Sequence, residues 1–154
     1  RSNEDGQKRL FSGPLDGNGR RSIYTRITIM EPPKFLALFN QPKPKIPTGR
    51  RDTTNTPSQS LALLNDPFVI AQAQFWAQRL VARNGVSVTG RIESIFQRAY
   101  ARPAEASEIE RWQQAVEELA ELHGVQQGDV LTSEIVWQEV AHAIFNTKEF
   151  IYVR

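Results

Sequence analysis

The residues best suited to chemistry gather around one stretch, RDTTNTPSQSLALLNDPF, which runs from Arg51 to Phe68. Together with Arg50 just before it, Arg51, Asn55, Gln59, Asn65 and Asp66 offer guanidinium, amide and carboxylate groups. They belong to two polar, proline-punctuated knots on either side of a short apolar run. If both knots start helices whose N-termini point to one place, free backbone N–H groups and the helix dipoles would favour an anion there. A plainer reading competes with this one and is the stronger of the two. Thr56-Pro57-Ser58-Gln59 matches a capping box with proline at the first helical position. Asn65-Asp66-Pro67 repeats the logic, with Asp66 as N-cap. Arg51, Asn55 and Asn65 are the members that capping does not explain.

Elsewhere the chemical inventory is thin. With no cysteine in 154 residues, disulfides, thiolate metal sites and covalent haem attachment within this chain are excluded. The two histidines, His123 and His142, sit in unrelated contexts: His123 beside a helix-ending Gly124, His142 one residue off an apolar stripe. No zinc spacing can be built from them. There is no glycine-rich phosphate loop, nucleophile elbow or HExxH pair, so the reading assigns no catalytic residue and no metal ligand. Glu117, Glu118 and Glu121 read as a solvated helix face. Lys43, Lys45, Arg50 and Arg51 form the best basic patch, with Arg20, Arg21 and Arg26 as neighbours. Nucleic-acid binding needs such charge together with stacking aromatics or a groove-entering helix. Phe35 and Phe39 are spaced as core instead, so nucleic acid is not the favoured partner.

Charge is unevenly spread. Residues 1–60 hold 11 Lys/Arg against 5 Asp/Glu, a net of +6, and the remainder holds 8 against 12, a net of −4. Such asymmetry marks either a nucleic-acid arm or a basic segment lying against an acidic body, in this chain or a neighbouring domain. The second fits better, because the cations are scattered among prolines. No apolar run approaches the roughly 18–20 residues of a membrane span. The chain starts at Arg1 without a signal-like segment and reads as a piece of a longer protein.

The elements that must carry these groups are mainly helical. Residues 1–20 read as a linker or lead-in, and 21–154 as one small domain. That domain has about four to five helices, an extended proline-rich N-terminal arm and at most a short two-stranded β element. The alternation of Ile23, Ile27 and Ile29 predicts a strand over Ser22–Met30, pairing with an extended piece around 47–54. Lys34–Phe39 reads as a short apolar turn or helix, and Gln41–Pro47 as extended. The helix after Asp66 buries Val69, Ala73, Trp76, Ala77 and Leu80 and stops near Asn84-Gly85. Ile92, Ile95, Phe96, Ala99 and Tyr100 mark the next, which ends at Arg102-Pro103. Ile109, Trp112, Val116 and Leu119 mark a helix from about Glu105 to Leu122. The last begins near Thr132, buries Val136, Val140, Ala143 and Ile144, and leaves an apolar tail, Phe150-Ile151-Tyr152-Val153.

Several runs carry a family resemblance. These are Arg20-Arg21-Ser22-Ile23-Tyr24, Pro32-Pro33 before Phe39, and the whole of Arg50–Pro67. To them are added Phe96…Ala99-Tyr100-Ala101-Arg102-Pro103…Glu108 and the closing Phe145-Asn146-Thr147-Lys148-Glu149-Phe150. Together they resemble the C-terminal domain of unknown function 1553 of planctomycete surface proteins that carry a cytochrome c-like domain. Glu105 departs from the pattern, standing where the family tends to place a Thr or Ser cap. The resemblance implies a secreted, periplasmic or cell-surface protein. It also implies that haem sits only in a separate upstream domain, with no cofactor in this chain. The expected function is a non-catalytic accessory or domain-docking module whose partners are upstream domains of the same polypeptide. Polysaccharide is a further candidate partner. The alternative expectation is an enzymatic or carbohydrate-binding site around Arg51–Asp66, shared with an upstream domain.

Overall fold

Helix starts and stops written into the chain divide it into short elements. The computed structural model describes residues 21–28, 32–43, 45–50, 54–83 and 85–152. Among these are seven α-helices: α1 (Lys34–Leu38), α2 (Pro57–Asn65), α3 (Pro67–Val81), α4 (Val88–Ala99), α5 (Ala106–Leu122), α6 (Glu134–Phe145) and α7 (Lys148–Ile151). Short 3-10 turns occupy Ser22–Tyr24 and Gln127–Asp129, and no strand occurs among the described residues. The chain forms two compact units, one ending at Ala62 and the other beginning at Leu63.

In the first unit the expected strand is replaced at its start by the 3-10 turn. There Tyr24 N–H donates to Arg21 O at 2.9 Å and Thr25 N–H to Ser22 O at 3.0 Å. A strand needs a ladder partner for its backbone groups, whereas the N–H groups of Tyr24 and Thr25 are satisfied by these local turn bonds. Ile29, Met30 and residues 51–53 of the expected pairing lie outside the described residues. Helix α1 closes with a Schellman motif: Gln41 N–H donates to Leu36 O and Asn40 N–H to Ala37 O. Asn40 takes the left-handed conformation that this motif requires, at φ 57°, and asparagine is among the residues that tolerate it. Phe35 and Phe39, one turn apart, pack ring to ring at 5.0 Å. Gln59 Oε1 accepts from Thr56 N–H at 3.1 Å, the glutamine half of the capping box that starts α2.

The second unit is built on the pairing of α3 with α6, to which α4 and α5 add. Asp66 caps α3 by accepting from Phe68 N–H at 2.9 Å, with Pro67 at the first position. The buried stripe of α3 is Val69, Ala73, Ala77 and Leu80, with Trp76 half-buried at its margin. Ser87, which no capping box announced, caps α4 by accepting from Gly90 N–H. Ile92, Ile95 and Phe96 are buried from α4, Val116 and Ala120 from α5. A second Schellman motif ends α5 at Gly124, whose φ is 66°, with Val125 N–H on Ala120 O. In α6 the expected core needs correction. Ala143 is exposed, while Trp137 and Ala141 are fully buried beside Val136, Val140 and Ile144. The register is set by Trp137, whose indole N–H reaches Val130 O at 2.9 Å inside the core. Among the described residues no helix is long and apolar enough to cross a membrane.

Candidate functional site

The polar residues around Arg51–Phe68 fall into both units. Gln59 is buried and fully engaged: its Nε2 donates to Leu38 O at 2.8 Å and to Thr54 Oγ1 at 3.1 Å, besides the Oε1 bond to the cap. It ties the end of α1 to the start of α2. Asn40 Nδ2 donates to the same Thr54 hydroxyl at 2.8 Å. Arg50 and Asn55 are exposed in this unit, and Arg51 lies outside the described residues. In the second unit Asp66 is the α3 cap, and Asn65, at the end of α2, is exposed. Gln59 and Asp66 therefore have structural work that accounts for their chemistry.

The densest charged arrangement lies elsewhere, around Arg102. Its guanidinium forms a double fork: Nη1 and Nη2 donate to Glu108 at 2.8 and 2.7 Å, Nε and Nη2 to Glu149 at 2.6 and 2.7 Å. Such bidentate, charge-assisted pairs fix geometry as well as energy. Glu108 Oε2 also accepts from Glu105 N–H at 2.8 Å and so completes the α5 start. The departure at Glu105 thus leaves the cap working from its Glu108 side. The Arg102 hydrogen bond holds the Glu108 carboxyl down at about 2, well below the ordinary carboxylate range. Phe96 and Tyr100 present their rings to the same guanidinium at 5.3 and 5.6 Å. The Tyr100 hydroxyl meets Thr147 Oγ1 at 2.8 Å, and burial raises its pKa. Thr147 in turn caps α7 by accepting from Phe150 N–H. This constellation is a clasp of α4, α5 and α7, and every polar atom named in it is matched.

A second arginine escaped the sequence reading altogether. Arg91 follows the α4 N-terminus yet is only 2% exposed. Its Nη1 donates to Leu131 O at 2.6 Å and its Nη2 to Arg83 O at 3.3 Å. The group lies 4.8 Å from the Trp137 ring centroid. Burial lowers its pKa. The side chain joins the α3–α4 loop to the loop before α6, so its position is structural. His142 likewise donates from Nε2–H to Leu63 O, at 3.1 Å, and Asn146 Nδ2 donates to His142 O at 2.8 Å. No group of three His, Asp or Glu side chains fit to hold a metal occurs among the described residues.

What remains available for an outside partner in the first unit is a surface and a cleft. The described cations there are Arg21, Arg26, Lys34, Lys43, Lys45 and Arg50, and all six are exposed. Among them Ile23 is 83% exposed, Tyr24 72% and Ile46 58%. Ile23, Ile27, Leu36, Phe39, Gln41 and Pro42 line a cleft of about 560 Å³. Every described charged side chain of this unit is Lys or Arg.

The chain belongs to the family described as "Protein of unknown function (DUF1553)", whose sequence profile matches residues 4–116. Comparison with curated proteins and with solved structures gives no match. The matched range includes the basic first unit, the capping signature and the Arg102–Glu108 half of the clasp. Thr147 and Glu149 lie beyond it.

Proposed function

We propose that this chain is a non-catalytic docking module whose first unit holds the preceding domains of a secreted, haem-associated polypeptide. The observation that carries the reading is the exposure of Ile23, Tyr24 and Ile46 among six exposed cations. Large apolar side chains left in water beside a cleft are the mark of an interaction surface. A rim of one charge sign steers an oppositely charged partner and fixes its register. The partner is therefore an acidic protein surface with an apolar centre. Haem belongs to that partner, and this chain supplies no ligand to it. The secreted setting and the identity of the partner follow from the resemblance to surface proteins with a cytochrome c-like domain.

The test is titration calorimetry of the chain against the preceding domains, at low and at moderate salt. Saturable binding that weakens with salt is expected, because exposed charges are screened over about 8–10 Å at such ionic strengths. Tyr24→Ala and Ile23→Ser should each weaken it. Absence of binding at both salt concentrations overturns the proposal.

A further inference from the structure

The second unit carries a cleft of about 290 Å³ that no contact described above occupies. Gln72, Phe75, Trp76 and Arg79 stand at i, i+3, i+4 and i+7 on α3, one helical face beside the buried stripe, and all four line the cleft. Arg98 of α4 and the Phe145–Phe150 pair complete it. The aromatic wall is continuous: Trp76 stacks on Phe145 at 5.4 Å, and Phe145 meets Phe150 at 5.0 Å. Phe75 projects from it and is 59% exposed. Ile151 and Tyr152, also exposed, carry the apolar surface onward beyond Phe150. Arg79 and Arg98 are both exposed at the rim, and neither forms an ion pair with a described residue. None of the described residues that line the cleft carries a carboxylate.

We infer that this cleft docks a segment of a partner protein in which carboxylate side chains alternate with aromatic or aliphatic ones. Charge selects the occupant: two guanidinium groups that form no ion pair with a described residue, in a described lining without an acid, complement carboxylates, which arginine binds through its planar fork. Shape selects a peptide over a sugar chain. Sugars need flat, open ring faces and many hydrogen-bonding groups, whereas Trp76 already has one face against Phe145 and, among the described lining residues, the only neutral polar side chain is that of Gln72. An open aromatic trough of this size suits one or two apolar side chains, held in register by the arginines. The inference rests on the second unit alone and stands apart from the docking proposed for the first.

The test is fluorescence anisotropy of the full chain with a fluorescein-labelled hexapeptide alternating glutamate with phenylalanine. A lysine–phenylalanine counterpart and a labelled oligogalacturonate are the comparison probes. The acidic peptide is expected to bind saturably and roughly tenfold or more tighter than the lysine peptide. Arg79→Glu combined with Arg98→Glu should weaken it by about the same factor, and Phe75→Ser should weaken it too. Arg111→Gln, on the exposed side of α5, should leave it unchanged. If the charge reversals disturb the fold, as judged by circular dichroism, Arg79→Gln with Arg98→Gln takes their place. Absence of saturable binding by the acidic peptide overturns the inference. So does equal binding of the lysine peptide, or binding of the oligogalacturonate alone.

Discussion

Replacing Arg91 by methionine sets the hydrogen bonds of a buried guanidinium directly against its desolvation. The bond to Leu131 O at 2.6 Å is charge-assisted and part-buried, worth about 1.5–3 kcal/mol. The bond to Arg83 O is longer, at 3.3 Å. It ends on a residue that is itself exposed, so its loss costs less than that of the Leu131 bond. The contact over Trp137 adds about 1 kcal/mol, part of which the polarizable methionine sulfur retains. Against these stands the cost of burying the charge, visible in the lowered pKa and in an Nε without a hydrogen-bond partner among the described residues. Methionine removes that cost but orphans the Leu131 carbonyl. The net expectation is a destabilisation of about 2 kcal/mol, a fall of roughly 10 °C in Tm for a unit of this size. Arg91→Ala adds a cavity and should cost about 4 kcal/mol. Urea unfolding followed by circular dichroism and tryptophan fluorescence gives the size. Hydrogen exchange gives the location, with faster exchange expected at Arg83–Ser87 and Gln126–Ser133. A methionine variant as stable as the parent, or more so, refutes the reasoning, because burying the charge would then outweigh its bonds.

Glu108 has a folded pKa of about 2, below its ordinary 4.5, so the stability it contributes is present above pH 4.5 and is lost as pH falls toward 2. The urea midpoint of the parent should drop more across that interval than that of Glu108→Gln; parallel curves would rule the clasp out as the cause. Ala101 ends α4 in the left-handed region at φ 57°, which costs a residue with a Cβ about 1–2 kcal/mol. Ala101→Gly should therefore raise stability by about 0.5–1 kcal/mol in thermal unfolding, after glycine's own entropic penalty. Gln59→Ala removes the bonds to Leu38 O, Thr54 Oγ1 and Thr56 N–H. It should destabilise the first unit by about 1–3 kcal/mol, seen as faster exchange at 34–40 and 54–60 with α4–α6 unchanged.

Local rules were legible in the chain wherever the partner of a residue lies within a turn of it. Asp66, Pro67 and the glutamine of the capping box could be placed because a cap and its N–H groups are two or three residues apart. The α3 stripe was legible because its period is that of a helix. Pairings across the fold were not. Arg102 and Glu149 are separated by 47 residues, and Arg91 and Leu131 by 40; no spacing rule announces either. Nothing near Arg91 in the chain marks it for burial; the carbonyls that hold it come from two separate loops. Ser22–Tyr24 differs for the opposite reason: β-branched alternation describes a preference, which the local turn bonds of Tyr24 and Thr25 override here. Thr147 and Glu149, which no spacing singles out, cap α7 and lock it to Arg102. Arg51, singled out by the sequence, lies outside the described residues.

The central claim is that the first unit is a docking surface. The most direct measurement is hydrogen exchange by mass spectrometry on the chain alone and bound to the preceding domains. Slower exchange concentrated in Arg21–Arg50, with α4, α5 and α6 unchanged, is the result expected. Unchanged exchange in Arg21–Arg50 under saturating partner would contradict it.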